Sequence, residues 1–309
     1  MSTRTRTFGA AAAGVIVLGW AVCAWSQATT QPAKDYRIKL SRPEKVGQEF
    51  QFTTSGSEKT EQTLTIGEKV QTTTDEFVFE VKGAEQIGKT TEKGEPTEVA
   101  FTVETCVKID GDKRSEAAPK GTVVIVSAVG GKKEVRAKDP GVTLSPDATR
   151  ILRTAISVKA REENDDDAFG TDKRQRIGDS WPINAELMAK SFSREFGREG
   201  AVKSADVTGQ TTLAGLKTVE GVECLDLRFE VKLQNFAPPV RPEAKVVKGE
   251  VTVSGTEYAP VDESMSALGA QTTMTVAVVM KVQGPNGVEA TAETKSERTL
   301  NRTGTPVRK

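Results

Sequence analysis

The sequence predicts a mainly β, α+β protein: one or two curved antiparallel sheets with one or two short helices packed on the concave side. Three observations carry this. Residues 36–137 and 205–300 are runs of alternating apolar and polar side chains rich in Val and Thr, which suit pleated, half-buried strands. Only two segments between those runs switch to helical spacing. Helices therefore do not alternate with strands, which disfavours a parallel βαβ sheet, and the order strands, helix, linker, short helix, strands favours helices laid on an antiparallel sheet.

Residues 1–28 read as a secretory signal peptide. Arg4 and Arg6 precede the apolar run Gly9 to Trp25, and small residues follow at Val22/Ala24 and Ser26/Ala28. An uncleaved membrane anchor is the alternative, although the run is at the short end of what spans a bilayer. The expected location is periplasmic or secreted, in a bacterium, with membrane contact only through an uncleaved signal. Cys23 invites a lipidation reading, but Trp20-Ala21-Val22 is a poor approach to it, and Thr5 between the arginines removes a twin-arginine signal. Residues 29–35 form a polar leader expected to be disordered. Loss of Arg4 and Arg6 from the 43 basic side chains leaves a slight excess of the 43 acidic ones, so no long-range field favours nucleic acid.

Structure is expected to begin at Tyr36. Tyr36-Arg-Ile-Lys-Leu40 and Glu49-Phe-Gln-Phe52 read as the first two strands, Thr60–Thr65 and Val70–Thr74 as a hairpin around Gly67-Glu68, and Phe77–Val81 as a stronger strand. Val99–Ile109, a turn at Asp110-Gly111, Thr122–Val129, a tight turn at Gly130-Gly131 and Lys133–Ala137 continue the meander. Leu144–Val158 then changes period. Ser145 is placed to cap, Pro146 takes the first helical position, and Ala148, Ile151, Leu152, Ala155 and Ile156 share one face. The acidic segment from Arg161 to Asp172 completes a first β-rich half, residues 36–173. Its spacing does not fit a calcium loop, since Phe169 and Arg176 fall where ligands belong, so it reads as a solvated loop.

Residues 174–198 are the centre. Arg174-Gln-Arg-Ile-Gly-Asp-Ser-Trp-Pro-Ile-Asn184 holds the only tryptophan beyond residue 28, with a turn at Gly178-Asp179, and Asn184 caps a short helix through Phe192. Trp181 reads as an apolar plug entering the core between the halves. The functional alternative has Trp181 and Arg176 facing a ligand. The second β-rich half, residues 199–301, offers strands at Ala205–Leu213, Val222–Leu233, Lys245–Tyr258, Ala270–Val282 and Val288–Leu300, with a turn at Pro285-Asn-Gly287. Residues 302–309 read as a loose tail. Phe79-Glu-Val-Lys82 and Phe229-Glu-Val-Lys232 repeat one string, so duplication and chance both remain open.

The chemistry is defined by what is missing. The chain has no histidine, which removes the usual general base and the commonest metal ligand, and with them Ser-His-Asp, Cys-His, His-zinc and haem-His sites. It contains no Gly-rich phosphate cradle, no Gly-x-Ser-x-Gly elbow, no Ser-x-x-Lys pair and no Cys-x-x-Cys. No catalytic residue, metal site or cofactor is expected, and the chain reads as a non-enzyme. Cys106 and Cys224 lie in strand-like runs in an oxidising compartment and are expected to pair as a disulfide joining the halves, with two buried free thiols as the alternative.

The leading strand pair, the meander ending in a helix, Ile177-Gly-Asp-Ser-Trp181, the strand at Gly221-Val-Glu-Cys224 and the long terminal hairpins resemble a family of exported bacterial proteins of unknown function. That family is in turn similar to the half-barrel of periplasmic lipoprotein carriers, where a curved antiparallel sheet wraps helices around an acyl-binding cavity. The resemblance implies a binding module for a lipid or other apolar ligand in the cell envelope and transfers no site residue. The apolar runs Val123–Val129 and Met274–Val282 are candidates to line such a cavity. A structural or scaffolding role toward an envelope protein partner is the competing expectation.

Overall fold

A computed structural model describes residues 34–129, 132–159, 164–196, 202–238, 240–283 and 288–307. The expected signal peptide and most of the leader, the Gly130-Gly131 turn and the Pro285–Gly287 turn lie outside the described residues. The chain forms one curved, open, 12-stranded antiparallel sheet, as the alternating pattern predicted, and the described residues include three short helices where one or two were expected. The first part supplies β1 (Glu49–Ile66), β2 (Lys69–Thr90), β3 (Pro96–Asp110), β4 (Lys113–Glu116), β5 (Val123–Val129) and β6 (Lys132–Ala137). The second supplies β7 (Ser180–Pro182), β8 (Val207–Val219), β9 (Val222–Leu233), β10 (Ala244–Pro260), β11 (Gly269–Gln283) and β12 (Glu289–Pro306). The sheet runs β6-β5-β3-β2-β1-β12-β11-β10-β9-β8-β7, with β4 beside β3.

The seam between the two parts is thus the pairing of the first long strand with the last, from Phe50 opposite Pro306 to Ile66 opposite Ala290. Several short strands expected from the sequence are segments of longer ones. Glu49–Phe52 and Thr60–Thr65 belong to the single 18-residue β1, and Val70–Thr74 and Phe77–Val81 to the 22-residue β2. The intervening Thr53-Thr-Ser-Gly-Ser-Glu-Lys59 has no apolar alternation, yet its backbone is paired on both sides by β2 and β12, and those ladders extend the strand regardless of pattern.

The repeated string has a structural correlate. Phe79 stands opposite Gly56 across β1 and β2, and Phe229 opposite Gly255 across β9 and β10. A methyl group at either glycine would lie 2.5 Å or 2.4 Å from the facing ring, so glycine is needed to let the ring lie over the neighbouring strand. The order of the two strands is reversed between the halves, with glycine first in one and phenylalanine first in the other.

Helix α1 (Pro146–Ala155) follows the sequence reading closely. The Ser145 hydroxyl accepts from the Ala148 N–H, Pro146 opens the helix, and Ala148, Ile151, Leu152 and Ala155 are buried against Phe52, Val81, Phe101 and their neighbours. Helix α3 (Ala185–Glu195), capped by Asn184, lays Met188, Ala189 and Phe192 on Val207, Val231, Leu233 and Val251. Helix α2 (Asp165–Phe169) was not foreseen; Asn164 and Asp167 form a reciprocal cap at its start.

Four expectations are corrected. Tyr36–Leu40 is not a strand of the sheet. It makes one bridge, Tyr36 with Gln175, and buries Tyr36, Ile38 and Leu40 as a strap across the core. The acidic segment is not a solvated loop where it is described: Asp166 accepts from the Leu40 N–H at 2.6 Å and pairs with Lys39, tying α2 to that strap. The presumed tail is a continuation of β12 through Pro306. Finally, Cys106 and Cys224 are both buried free thiols. They lie on β3 and β9, six strand spacings apart, roughly 25–30 Å along the sheet, far beyond disulfide reach. Burial pushes the Cys106 thiol up to about 11 and raises that of Cys224, so both remain protonated at neutral pH.

Candidate ligand cavity

Alternation along the central strands sends one set of side chains to the concave face, and the helices cover only parts of it. Helix α1 seals the face of β1, β2, β3 and β5, α3 seals that of β8, β9 and β10, and a cavity remains between them. Its floor is built from β1 (Phe52, Thr54), β12 (Leu300, Arg302), β11 (Ala270, Thr272), β10 (Glu257), β9 (Leu227, Phe229) and β8 (Thr211). Its roof is the Leu40–Glu44 strap, the Ser157–Lys159 exit from α1, and Asp165 and Phe169 of α2.

Local chemistry fixes each roof segment. Lys133 on β6 donates to the carbonyls of Arg153 and Ile156 at 2.8 and 2.7 Å, ending α1 in the manner of a C-terminal cation cap. The Lys159 N–H donates to the Pro96 carbonyl at 2.8 Å, and the Ser41 hydroxyl accepts from the Asp165 N–H at 3.2 Å. Phe169 rests on Phe229 with ring centres 5.0 Å apart, and its carbonyl accepts from the Trp181 indole N–H at 2.7 Å.

The cavity has two adjoining compartments that share Leu40, Ser157, Asp165, Glu257, Ala270 and Arg302. The larger, about 340 Å³, is walled mainly by Ala155, Phe169, Leu227, Phe229 and Leu300. The smaller, about 220 Å³, is charged: Arg42, Glu44, Glu85, Glu95, Lys159 and Arg302 surround it. Lys159 pairs with Glu95 at 3.1 Å and Asp165 at 2.7 Å; burial works against its charge, yet those two carboxylates hold it above the ordinary lysine value. Arg302 lies 4.4 Å over the Phe52 ring and 3.4 Å from Glu85, which is 2 % exposed. Burial raises Glu85, and Arg302 pulls it back.

Two further carboxyls are strongly perturbed. Burial, with repulsion from Glu85 added, raises Glu44 to about 7. Burial, with repulsion from Asp165 added, raises Glu257 to about 8, and Glu257 lines both compartments of the cavity. The sign of the resulting pH dependence follows directly. Between the ordinary carboxyl range and about 8, the folded chain holds protons that the unfolded chain has released, so stability falls as pH rises. Urea midpoints are therefore expected to be higher at pH 6 than at pH 9, with the slope flattened in Glu44→Gln/Glu257→Gln. A wild-type midpoint that rises over this window, or a double variant with the wild-type slope, contradicts the assignment.

The residues singled out from sequence lie elsewhere. Trp181 is 7 % exposed on the outermost strand β7, packed with Tyr36, Leu40, Leu213 and Leu225. It closes the end of the sheet and does not plug a junction between halves. Arg176 is at the surface, where its Nε donates to Asp35 at 2.7 Å. Gly178, with φ of 96°, makes the expected turn. Neither Trp181 nor Arg176 lines the cavity. Among the described residues, no three acidic or cysteine side chains are placed to hold a metal ion.

No protein-family model matches this chain, and no curated protein sequence matches it. The family resemblance carried by Gly178-Asp179-x-Trp181 therefore stays an expectation. Among solved structures the chain is similar to lipovitellin, described for its lipid–protein interactions, with TM-score 0.32 and 7% identity over 86% of this chain and 26% of that one. The chain thus spans about a quarter of the lipovitellin chain. It is also similar to a DUF1329 family protein from Desulfovibrio piger (TM-score 0.14, 10% identity, 80% of this chain and 84% of that one). A third likeness is to the outer membrane protein OprG from Pseudomonas aeruginosa (TM-score 0.16, 5% identity, 87% of this chain and 100% of that one). All three scores are too low to establish a shared fold, so the chemistry of the cavity rests on its own geometry.

Proposed function

We propose that the chain is an exported, non-catalytic binding module that holds a lipid or other apolar ligand in the cell envelope. The supporting observation is the apolar compartment of about 340 Å³ beside α1, roofed by α2 and short segments held by hydrogen bonds and ion pairs, and floored by the concave sheet. Its size falls within the range of small-molecule sites, about 300–1,000 Å³, and a mostly apolar lining with a few convergent polar groups is their usual composition. Export is supported by the arginines, apolar run and small residues of positions 1–28.

Native mass spectrometry of protein purified from its own cell envelope, together with uptake of an apolar fluorescent dye, tests this. A bound mass or one-to-one dye uptake is expected. Ala270→Trp fills the floor shared by both compartments and is expected to abolish uptake. Uniformly ligand-free protein that takes up no dye overturns the proposal.

A further inference from the structure

We propose that the occupant of this cavity is an amphiphile with a cationic head, its chain in the apolar compartment and its ammonium group in the charged one. This rests on the reading of the cavity as a site for an apolar ligand and adds what the head must be. The cations around the smaller compartment are already engaged. Lys159 holds Glu95 and Asp165, Arg302 holds Glu85, and Arg42 donates to the backbone carbonyls of Lys39, Pro260, Asp262 and Met265 at 2.8–3.2 Å. The side-chain carboxyls of Glu44 and Glu257 are left with neither ion pair nor hydrogen bond among the described residues, and Oε2 of Glu44 is shielded from solvent.

A second observation is independent of charge. Thr54 and Thr211, each 2 % exposed, lie in the floor of the apolar compartment on β1 and β8, and neither hydroxyl has a partner among the described residues. A buried hydroxyl both donates and accepts, so Thr54 and Thr211 point to an occupant without setting its charge, whereas an unpaired buried carboxylate oxygen, which native proteins rarely leave unsatisfied, selects a donor. An ammonium head brings three donors and no acceptor, whereas a fatty-acid carboxylate brings more acceptors and like charge. The charges facing the two carboxyls set the balance. Glu257 feels Asp165 and Asp166 against Lys159 and Arg42, and Glu44 feels Glu85 and Glu95 against Arg302 and Lys159. An arriving cation shifts both toward the ionised form, so binding near neutral pH releases protons.

The test compares dodecylammonium, dodecanoate and dodecanol, all below micellar concentrations, by calorimetry on the mature protein at pH 7 in buffers of different ionisation enthalpy. The amine is expected to bind at least about ten-fold tighter than the other two, with proton release, because only it compensates the unpaired carboxyls. In Glu44→Gln/Glu257→Gln the amine and the alcohol are expected to bind alike. Dodecanoate binding as tightly as the amine, or an amine preference that survives in the double variant, overturns the proposal. If the alcohol binds and the amine is not preferred, the head-group assignment falls and the apolar cavity stands. If none of the three binds, the cavity reading itself falls, and this inference with it.

Discussion

Trp181→Ala is expected to lower stability by about 4 kcal/mol, within the 3–5 typical of removing a large buried aromatic ring. The loss has two sources. The ring is 7 % exposed and fills the space among Tyr36, Leu40, Leu213 and Leu225, at the end of the sheet where β7 contributes three residues and, among the described residues, pairs with β8 alone. The indole N–H also satisfies the part-buried Phe169 carbonyl at the end of α2, and losing that bond adds about 1 kcal/mol. Trp181→Phe separates the two, since it keeps most of the packing and loses only the N–H; a cost of about 1 kcal/mol is expected for it. Urea unfolding followed by circular dichroism gives both values. Hydrogen exchange should show α2 and the Leu40–Glu44 strap loosened in the alanine variant, because both are held through Phe169, Asp165 and Asp166. An alanine variant within 1 kcal/mol of wild type would remove Trp181 from the core.

How much of this was legible in the sequence depended on whether local pattern and tertiary context agreed. They agreed for α1, where Ser145, Pro146 and the face Ala148, Ile151, Leu152 and Ala155 each did what local rules require. They agreed for β9, whose alternation spans Val222–Leu233 as read. They parted at the strap, where Tyr36, Ile38 and Leu40 alternate like a strand but bury themselves by crossing the core. The site was hidden for a related reason. Glu85 reads as one more charge in a strand, yet it lies in phase with Phe77, Phe79, Val81 and Ile87, all on the buried face. Glu257 is likewise in phase with Val251, Val253 and Ala259, and Arg302 with Leu300. A charged residue at an apolar beat was the available signal. What the sequence could not supply was the partner: Glu85 and Arg302 are 217 positions apart and meet only because the first and last long strands pair. Trp181 and Arg176 stood out by rarity and motif, and rarity reports packing as readily as binding.

Arg302→Met is expected to destabilise the fold by about 2–3 kcal/mol at pH 8, and the deficit is expected to shrink as the pH falls. Methionine retains the apolar stem that lies over Phe52, so the main change is that Glu85 loses its cation while staying 2 % exposed. Removing one partner of a buried ion pair can cost 3–5 kcal/mol, but the guanidinium side chain is itself 34% exposed, which weakens the pair and places the expectation below that range. The pH dependence follows from Glu85. Burial already raises its pKa above the ordinary carboxyl value and the charge of Arg302 opposes this, so removing Arg302 raises the group further. A carboxyl raised in the folded state stabilises at low pH, where it is neutral, and loses that contribution as the pH rises through its folded value. The variant should therefore approach wild type in acid and fall away from it in base. Arg302→Met/Glu85→Gln keeps a neutral, similarly shaped group at position 85 and is expected to recover most of the loss at pH 8. Equal destabilisation of the single and double variants at every pH would mean that Arg302 acts through its contact with Phe52, with no role for the Glu85 carboxylate.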